Sequence, residues 1–211
     1  MSEPTQPVPT RPEVSSLRLV LTLALAGTVA GLLLVFVDQL TAPAIAAHKQ
    51  KMLEQAIGEV LKSPARYETL YWYEGALTSE LSDKVDGSKL ERIYKGFDTD
   101  DRFVGYAIAA AEPGFADTVR LIFGYDAESG TLLGMKVLES KETPGLGDKI
   151  EKDEKFVGQF EGRLRPLAGV KSGEGKGEPG EIDMITGATI SSKVVIRIIN
   201  NAIAKWEARI G

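Results

Sequence analysis

Cysteine is absent from the 211 residues, and histidine occurs once, as His48. The first absence excludes disulfides, thiol nucleophiles and cysteine-ligated iron–sulfur clusters. The second rules out a histidine-rich metal centre and leaves His48 as a solvated helix residue, so no metal site is expected. Basic clusters are missing too. Lys and Arg number 25 against 30 Asp and Glu, a formal charge of −5, which gives a nucleic-acid partner no electrostatic footing. No acid–base or nucleophile constellation of a self-sufficient catalyst appears. Two nucleotide-binding look-alikes also fail. Gly175-Lys-Gly177-Glu-Pro-Gly180 has the letters of the dinucleotide fingerprint, yet no strand is expected before it and Pro179 interrupts the turn. The phosphate-loop pattern fails because Gly177 follows Lys176 where Ser or Thr should stand.

What is present begins with a polar, proline-containing stretch, residues 1–16, read as a flexible tail. Leu19 to Val37 is then an uncharged apolar run of 19 residues, about 28 Å as a helix and close to the thickness of a hydrocarbon core. It is read as a transmembrane helix over residues 17–40. A cleaved signal peptide competes, because small residues at Ala42, Ala44 and Ala46 have cleavage-like spacing, but the run is too long and these positions lie well beyond its end. Arg11 and Arg18 before the span balance Lys49 and Lys51 after it, so charge does not orient it. Gly27 and Gly31 have GxxxG spacing, which admits a partner helix or arises by chance. Ile45, Met52, Leu53, Ala56, Ile57, Val60 and Leu61 extend the helical period past Pro43, predicting a juxtamembrane helix over 41–62.

Residues 63–211 are read as one domain. Tyr67, Tyr71, Trp72 and Tyr73 cluster in a stretch of mixed polarity and are placed in the core rather than in a membrane-interface belt. Strand-like runs follow at Arg92–Phe97, Phe103–Ala111, Val119–Tyr125 and Leu132–Leu138, the last two joined by a hairpin at Asp126–Gly130. With helices before and after, the pattern is that of an α+β fold with an antiparallel sheet. The loop Glu142-Thr143-Pro144-Gly145-Leu146-Gly147-Asp148 leaves the last strand as a defined turn. Phe156 to Phe160 reads as a short helix or an edge segment, and residues 171–181 as a flexible surface loop.

The stretch Asp183 to Ser192 then places four hydroxyls beside a Gly187-Ala188 step. Val195, Ile198, Ile199, Ala202, Ile203, Trp206 and Ile210 follow at helical spacing, which puts Thr189 at or next to a helix N-terminus. A plain helix cap explains Thr there. The unpaired N–H groups and partial positive charge of such a terminus also welcome an anion, and Gly187 and Ala188 leave room for a phosphate or ring system.

Asp183-x-x-Thr186-Gly187-Ala188-Thr189 resembles the flavinylation motif of the FMN-binding domain family, and Glu142 to Asp148 resembles that family's second signature. By length and layout the chain is similar to the G subunits of Rnf-type ion-translocating electron-transport complexes. The resemblance implies FMN held by a phosphoester to Thr189, with Thr186, Gly187, Ala188, Glu142, Thr143 and Leu146 near the flavin. Asp183, Thr186, Gly187, Ala188 and Thr189 would be read by a flavin transferase. Further implications are an extracytoplasmic domain on a single-pass helix in the cytoplasmic (inner) membrane, and partnership with the other subunits of a ferredoxin:NAD oxidoreductase complex. The C-type component of the sodium-translocating NADH:quinone reductase and a membrane-anchored FMN-binding sensor are the alternatives. The family often carries a His near the start of the first loop, where this chain has Ser140.

Overall fold

The computed structural model describes residues 15–82 and 84–210. Most of the expected flexible tail, residues 1–14, therefore lies outside the described residues. Contacts divide the chain into two units, one up to Lys49 and one from Gln50 onward. Helix α1, Ser16–Val60, contributes to both and runs through Pro43. Within the first unit every residue from 15 to 49 is exposed, and the helix is long and apolar enough to cross a membrane. Its three threonine hydroxyls are satisfied internally: Thr22, Thr28 and Thr41 donate to the carbonyls of Arg18, Ala24 and Val37 at 2.7, 2.8 and 2.9 Å. Such back-bonding leaves no side-chain donor requiring water along the apolar run.

The second unit is built on a six-stranded antiparallel sheet. Its strands are β1 Arg66–Tyr73, β2 Ala76–Thr78, β3 Arg92–Phe97, β4 Phe103–Pro113, β5 Thr118–Asp126 and β6 Thr131–Glu139, in the order β2-β1-β3-β4-β5-β6. The strands expected from the sequence are β3 to β6, the last three each longer by one or two residues at an end. Two strands were not anticipated, β1 and β2. Their polarity alternates poorly because they form one side of the sheet and are only half-buried, with Arg66 and Glu68 interrupting the Tyr, Leu and Trp residues.

Successive residues point to opposite faces, and both faces are covered. Tyr94, Ala107 and Ile122 meet Ala56, Ile57, Val60 and Leu61 from the end of α1 and the residue after it. Their neighbours Ile93, Ile108, Leu121 and Phe123 form the other core with Val195, Ile198, Ile199, Ile203 and Trp206. These last residues lie on α4, Thr189–Ile210. A Cβ at Gly124 would stand 2.1 Å from the Val60 carbonyl oxygen, so glycine is what allows α1 to end directly against β5.

After β6 the chain forms two short helices, α2 Lys149–Lys152 and α3 Glu154–Gly158. It then makes a small parallel sheet of β7 Ala168–Lys171 and β8 Glu181–Met184. Residues 171–181 were expected to be a loop throughout, and no strand was expected before Gly175. The structure corrects both points at the margins, since four-residue strands are too short to display a period. No helix follows Gly180, so the dinucleotide fingerprint still lacks its context. At the far end of α4, burial first and a hydrogen bond to Glu207 second push the Tyr125 hydroxyl up to about 12, and Glu207 also pairs with Arg165 at 2.8 Å.

Candidate flavin site

Three segments meet at one buried carboxylate. Glu142, only 4% exposed, accepts the backbone N–H groups of Phe115 and Ala116 on Oε1 at 2.9 and 3.0 Å. Its Oε2 accepts the Ser191 hydroxyl at 2.6 Å. The β4–β5 turn, the loop after β6 and the first turn of α4 are thereby joined. Burial acts to raise the Glu142 pKa, but the hydrogen bonds from Ser191 and from the turn's backbone outweigh it and hold the carboxyl below the usual glutamate range. At Gly147 an added Cβ would stand 2.8 Å from the Glu142 Cβ and 2.9 Å from both Glu142 Oε2 and Ser191 Oγ. The second glycine of the loop is thus needed for the carboxylate to reach its partners. The turn itself closes on the Thr143 carbonyl, which accepts from Leu146 and Asp148 at 3.2 and 3.3 Å.

The segment entering α4 is fixed by different means. The Gln159 side chain accepts from the Asp183 N–H at 2.7 Å and donates to the Asp183 carbonyl at 3.1 Å. Ala188 N–H donates to the Ile185 carbonyl at 3.0 Å, and Gly187 lies at φ +83°, a left-handed turn that favours glycine. Ser192 Oγ closes the turn, accepting from the Ile185 N–H at 3.1 Å and donating to the Ala188 carbonyl at 2.9 Å.

The four hydroxyls of the motif thereby separate into two kinds. Ser191 and Ser192 are buried and committed to hydrogen bonds, whereas Thr186 and Thr189 are exposed. Thr189 opens α4, where the first N–H groups of a helix have no partner within it and the dipole is positive.

Large apolar side chains are exposed on the same three segments. Phe115, Leu146 and Ile190 are 67%, 50% and 55% exposed, and each sits on one of the segments that Glu142 joins. A Cβ at Gly187 would lie 3.6 Å from Leu146 Cδ2, so the two motifs touch at that point. Among the described residues most large apolar side chains elsewhere in the second unit are buried or half-buried, so these three stand out as a candidate contact rim.

Of the residues singled out in the sequence, Glu142, Leu146, Gly187, Ala188 and Thr189 converge here. Glu142 is engaged by protein groups, which makes it the joint of the three segments. Thr143 is exposed and takes part through its carbonyl, which closes the loop's turn, and Asp183 stands apart, exposed, with its backbone held by Gln159. Ser191, Gln159 and Phe115 were not expected to take part. Phe115 had a signal, a bulky apolar residue after Gly114 in a turn between two strands, where polar residues are the rule. A neighbouring cleft of about 170 Å³ lined by Asp117, Thr118, Arg120, Glu139 and Lys141 contains none of the motif residues. The cations and anions of its wall pair with one another.

An exposed hydroxyl at a helix start, inside an apolar rim, suits a ligand with a phosphate at one end and a flat ring at the other. Residues 114–204 match the FMN-binding domain family, which spans all three segments of the site. The G subunit of an ion-translocating oxidoreductase complex from Methanosarcina acetivorans is 29% identical over 195 residues, covering 92% of this chain and 96% of that protein. Its counterpart from Vibrio cholerae serotype O1 is 32% identical over 166 residues, covering 78% of this chain and 77% of its own. The chain belongs to the family of G subunits of ion-translocating oxidoreductase complexes. Among solved structures, NqrC of Shewanella oneidensis has the same fold, with a TM-score of 0.60 at 18% identity over 73% of this chain and 91% of that one. The C-type component of the Na(+)-translocating NADH-quinone reductase of Parabacteroides distasonis aligns with a TM-score of 0.54 at 22% identity, over 68% and 76% of the two chains.

Proposed function

We propose that this chain is the covalent-FMN component of a membrane-bound ion-translocating oxidoreductase complex of the ferredoxin:NAD type, with α1 as its anchor and the sheet domain on the extracytoplasmic side. One observation carries the cofactor reading. Of the motif's four hydroxyls, Ser191 and Ser192 are locked into the fold, and Thr189 stands exposed at the helix start within the apolar rim. FMN supplies one- and two-electron transfer, which accounts for a protein with no acid–base constellation of its own.

The chain's residues bind and orient. The N–H groups at the start of α4 face a phosphate on Thr189. Phe115, Leu146 and Ile190 offer apolar surface to the ring, and Glu142 holds the three segments in register. Thr143 borders the same rim, Gly187 and Ala188 give clearance, and Asp183 and Thr186 form an exposed face for a flavin transferase to read. In the modification the Thr189 oxygen bonds to the FMN phosphorus of a flavin dinucleotide donor, the bond from that phosphorus to the oxygen of the nucleotide half breaks, and the hydroxyl proton leaves with the released nucleoside monophosphate, so the chain gains FMN less one water.

Full-length protein co-produced with a flavin transferase and exported is expected to keep yellow colour and fluorescence through denaturing electrophoresis, with the added mass on the peptide containing Thr189. Thr189→Val retains the branched shape but lacks the hydroxyl, so the covalent signal should vanish while the domain stays folded. Thr186→Val should lower the yield without abolishing it. Covalent flavin that persists in Thr189→Val would refute the assignment. The two solved neighbours favour a second reading, a component of a quinone-reducing sodium pump; the proteins that co-purify with the chain decide between the two.

A further inference from the structure

One exposed stripe of α4 runs from Thr189 through Lys193 and Arg197 to Asn201. Residues four apart on a helix are neighbours on one face, about 5–6 Å between Cβ atoms. Arg197 is engaged, donating to Glu112 at 2.6 Å and to the Pro113 carbonyl at 2.9 Å. Asn201 also binds Glu112, at 2.8 Å. Lys193 differs from both: among the described residues no hydrogen bond or ion pair engages it. Long side chains on a helix lean toward its N-terminus and cover the preceding turn. The Lys193 ammonium therefore has as its natural range the surface over Thr189, where the helix dipole already favours negative charge.

We propose that Lys193 is the counter-charge of the flavin phosphate, its ammonium pairing with the single negative charge of the phosphodiester on Thr189. The inference rests on the reading that Thr189 carries FMN. Several rotatable bonds separate the Thr189 backbone from the flavin's sugar-alcohol chain, so a bond to Thr189 alone leaves the flavin free to swing. A second attachment at the phosphate removes much of that freedom and holds the ring against Phe115, Leu146 and Ile190. Arg197 cannot serve, being held by Glu112 and Pro113 at the end of β4, and Glu142 is an anion already engaged by three partners of its own.

The test uses the full chain in detergent, covalently loaded, as wild type, Lys193→Gln and Lys193→Arg. Denaturing electrophoresis first confirms equal loading, and flavin fluorescence anisotropy is then followed from low salt to about 1 M, where the screening length falls to about 3 Å. Wild type and Lys193→Arg should lose anisotropy as salt rises. Lys193→Gln should be lower at the start and insensitive to salt. Helix content, read by circular dichroism, should be equal in all three because the side chain is exposed. Loading that fails in Lys193→Gln but succeeds in Lys193→Arg would also support the role, since the same charge would then be needed as the phosphate arrives. Identical anisotropy and salt response in wild type and Lys193→Gln, or loading lost in both variants, would overturn it. A wild type without covalent flavin would instead refute the assignment of Thr189, and this inference with it.

Discussion

A single carboxylate sets the geometry of the rim around Thr189. Glu142→Ala would leave the buried Ser191 hydroxyl without its acceptor, at a cost of about 1–3 kcal/mol, and would release the N–H groups of the exposed Phe115 and Ala116 to water. A melting temperature lower by several degrees is expected in calorimetry. Glu142→Gln should recover most of the loss, because its amide oxygen accepts the two N–H groups and its NH₂ can donate to Ser191 Oγ. The pH dependence has a definite sign. With the folded carboxyl below its ordinary value of 4.5, the unfolded chain takes up the proton first on acidification. The stabilisation is complete above that value and is lost as the pH falls through the lower, native one, so wild type and Glu142→Gln should converge in acid. Both motifs around Thr189 were legible as strings of residues, but the division of labour inside them was not. The motif singled out Thr189, but nothing in the letters shows that Ser191 and Ser192 are tied into the fold or that Glu142 bridges three segments. That bridge depends on Gly147, whose missing side chain lets the carboxylate reach across to α4.

Secondary elements were legible where a period has room to show. Strands β4 to β6, of nine to eleven residues, and the 22-residue α4 all appear where alternation or helical spacing placed them. Strands of three and four residues, β2, β7 and β8, carry no readable period, and β1 is masked by charges on a half-buried side of the sheet. The covering of both sheet faces was also hidden, since it depends on where the end of α1 lands. Gly124 gives a direct test of that packing. A methyl group there meets the Val60 carbonyl at 2.1 Å, so Gly124→Ala must displace either β5 or the helix end. A loss of about 1–3 kcal/mol is expected from such overpacking, read as a lower urea midpoint with unchanged slope. Covalent flavin content should be unaffected, because α4 and the rim lie on the other side of the sheet from Val60.

For the molecule as a whole, the functional reading requires that one exposed apolar helix anchor the chain and that the sheet domain lie outside the cytoplasm. A reporter enzyme active only after export, fused behind Ile210, should be active, and the chain should stay with the membrane fraction after an alkaline wash. A cytoplasmic signal, or a soluble mature form, would contradict the anchor. Such a domain must remain separate from its many neighbours, and here the two carboxamides that hold β7 and β8 have a wider consequence. Asp183 offers both its N–H and its carbonyl to Gln159, and Leu167, just before β7, offers the same pair to Asn200 at 2.9 Å each. Each side chain takes the place that one residue of an incoming strand would occupy, on the two opposite margins of the small sheet. Strand-by-strand recruitment of further copies, the route by which open sheet margins seed aggregates, is obstructed at both margins by residues that cost the sheet no added length.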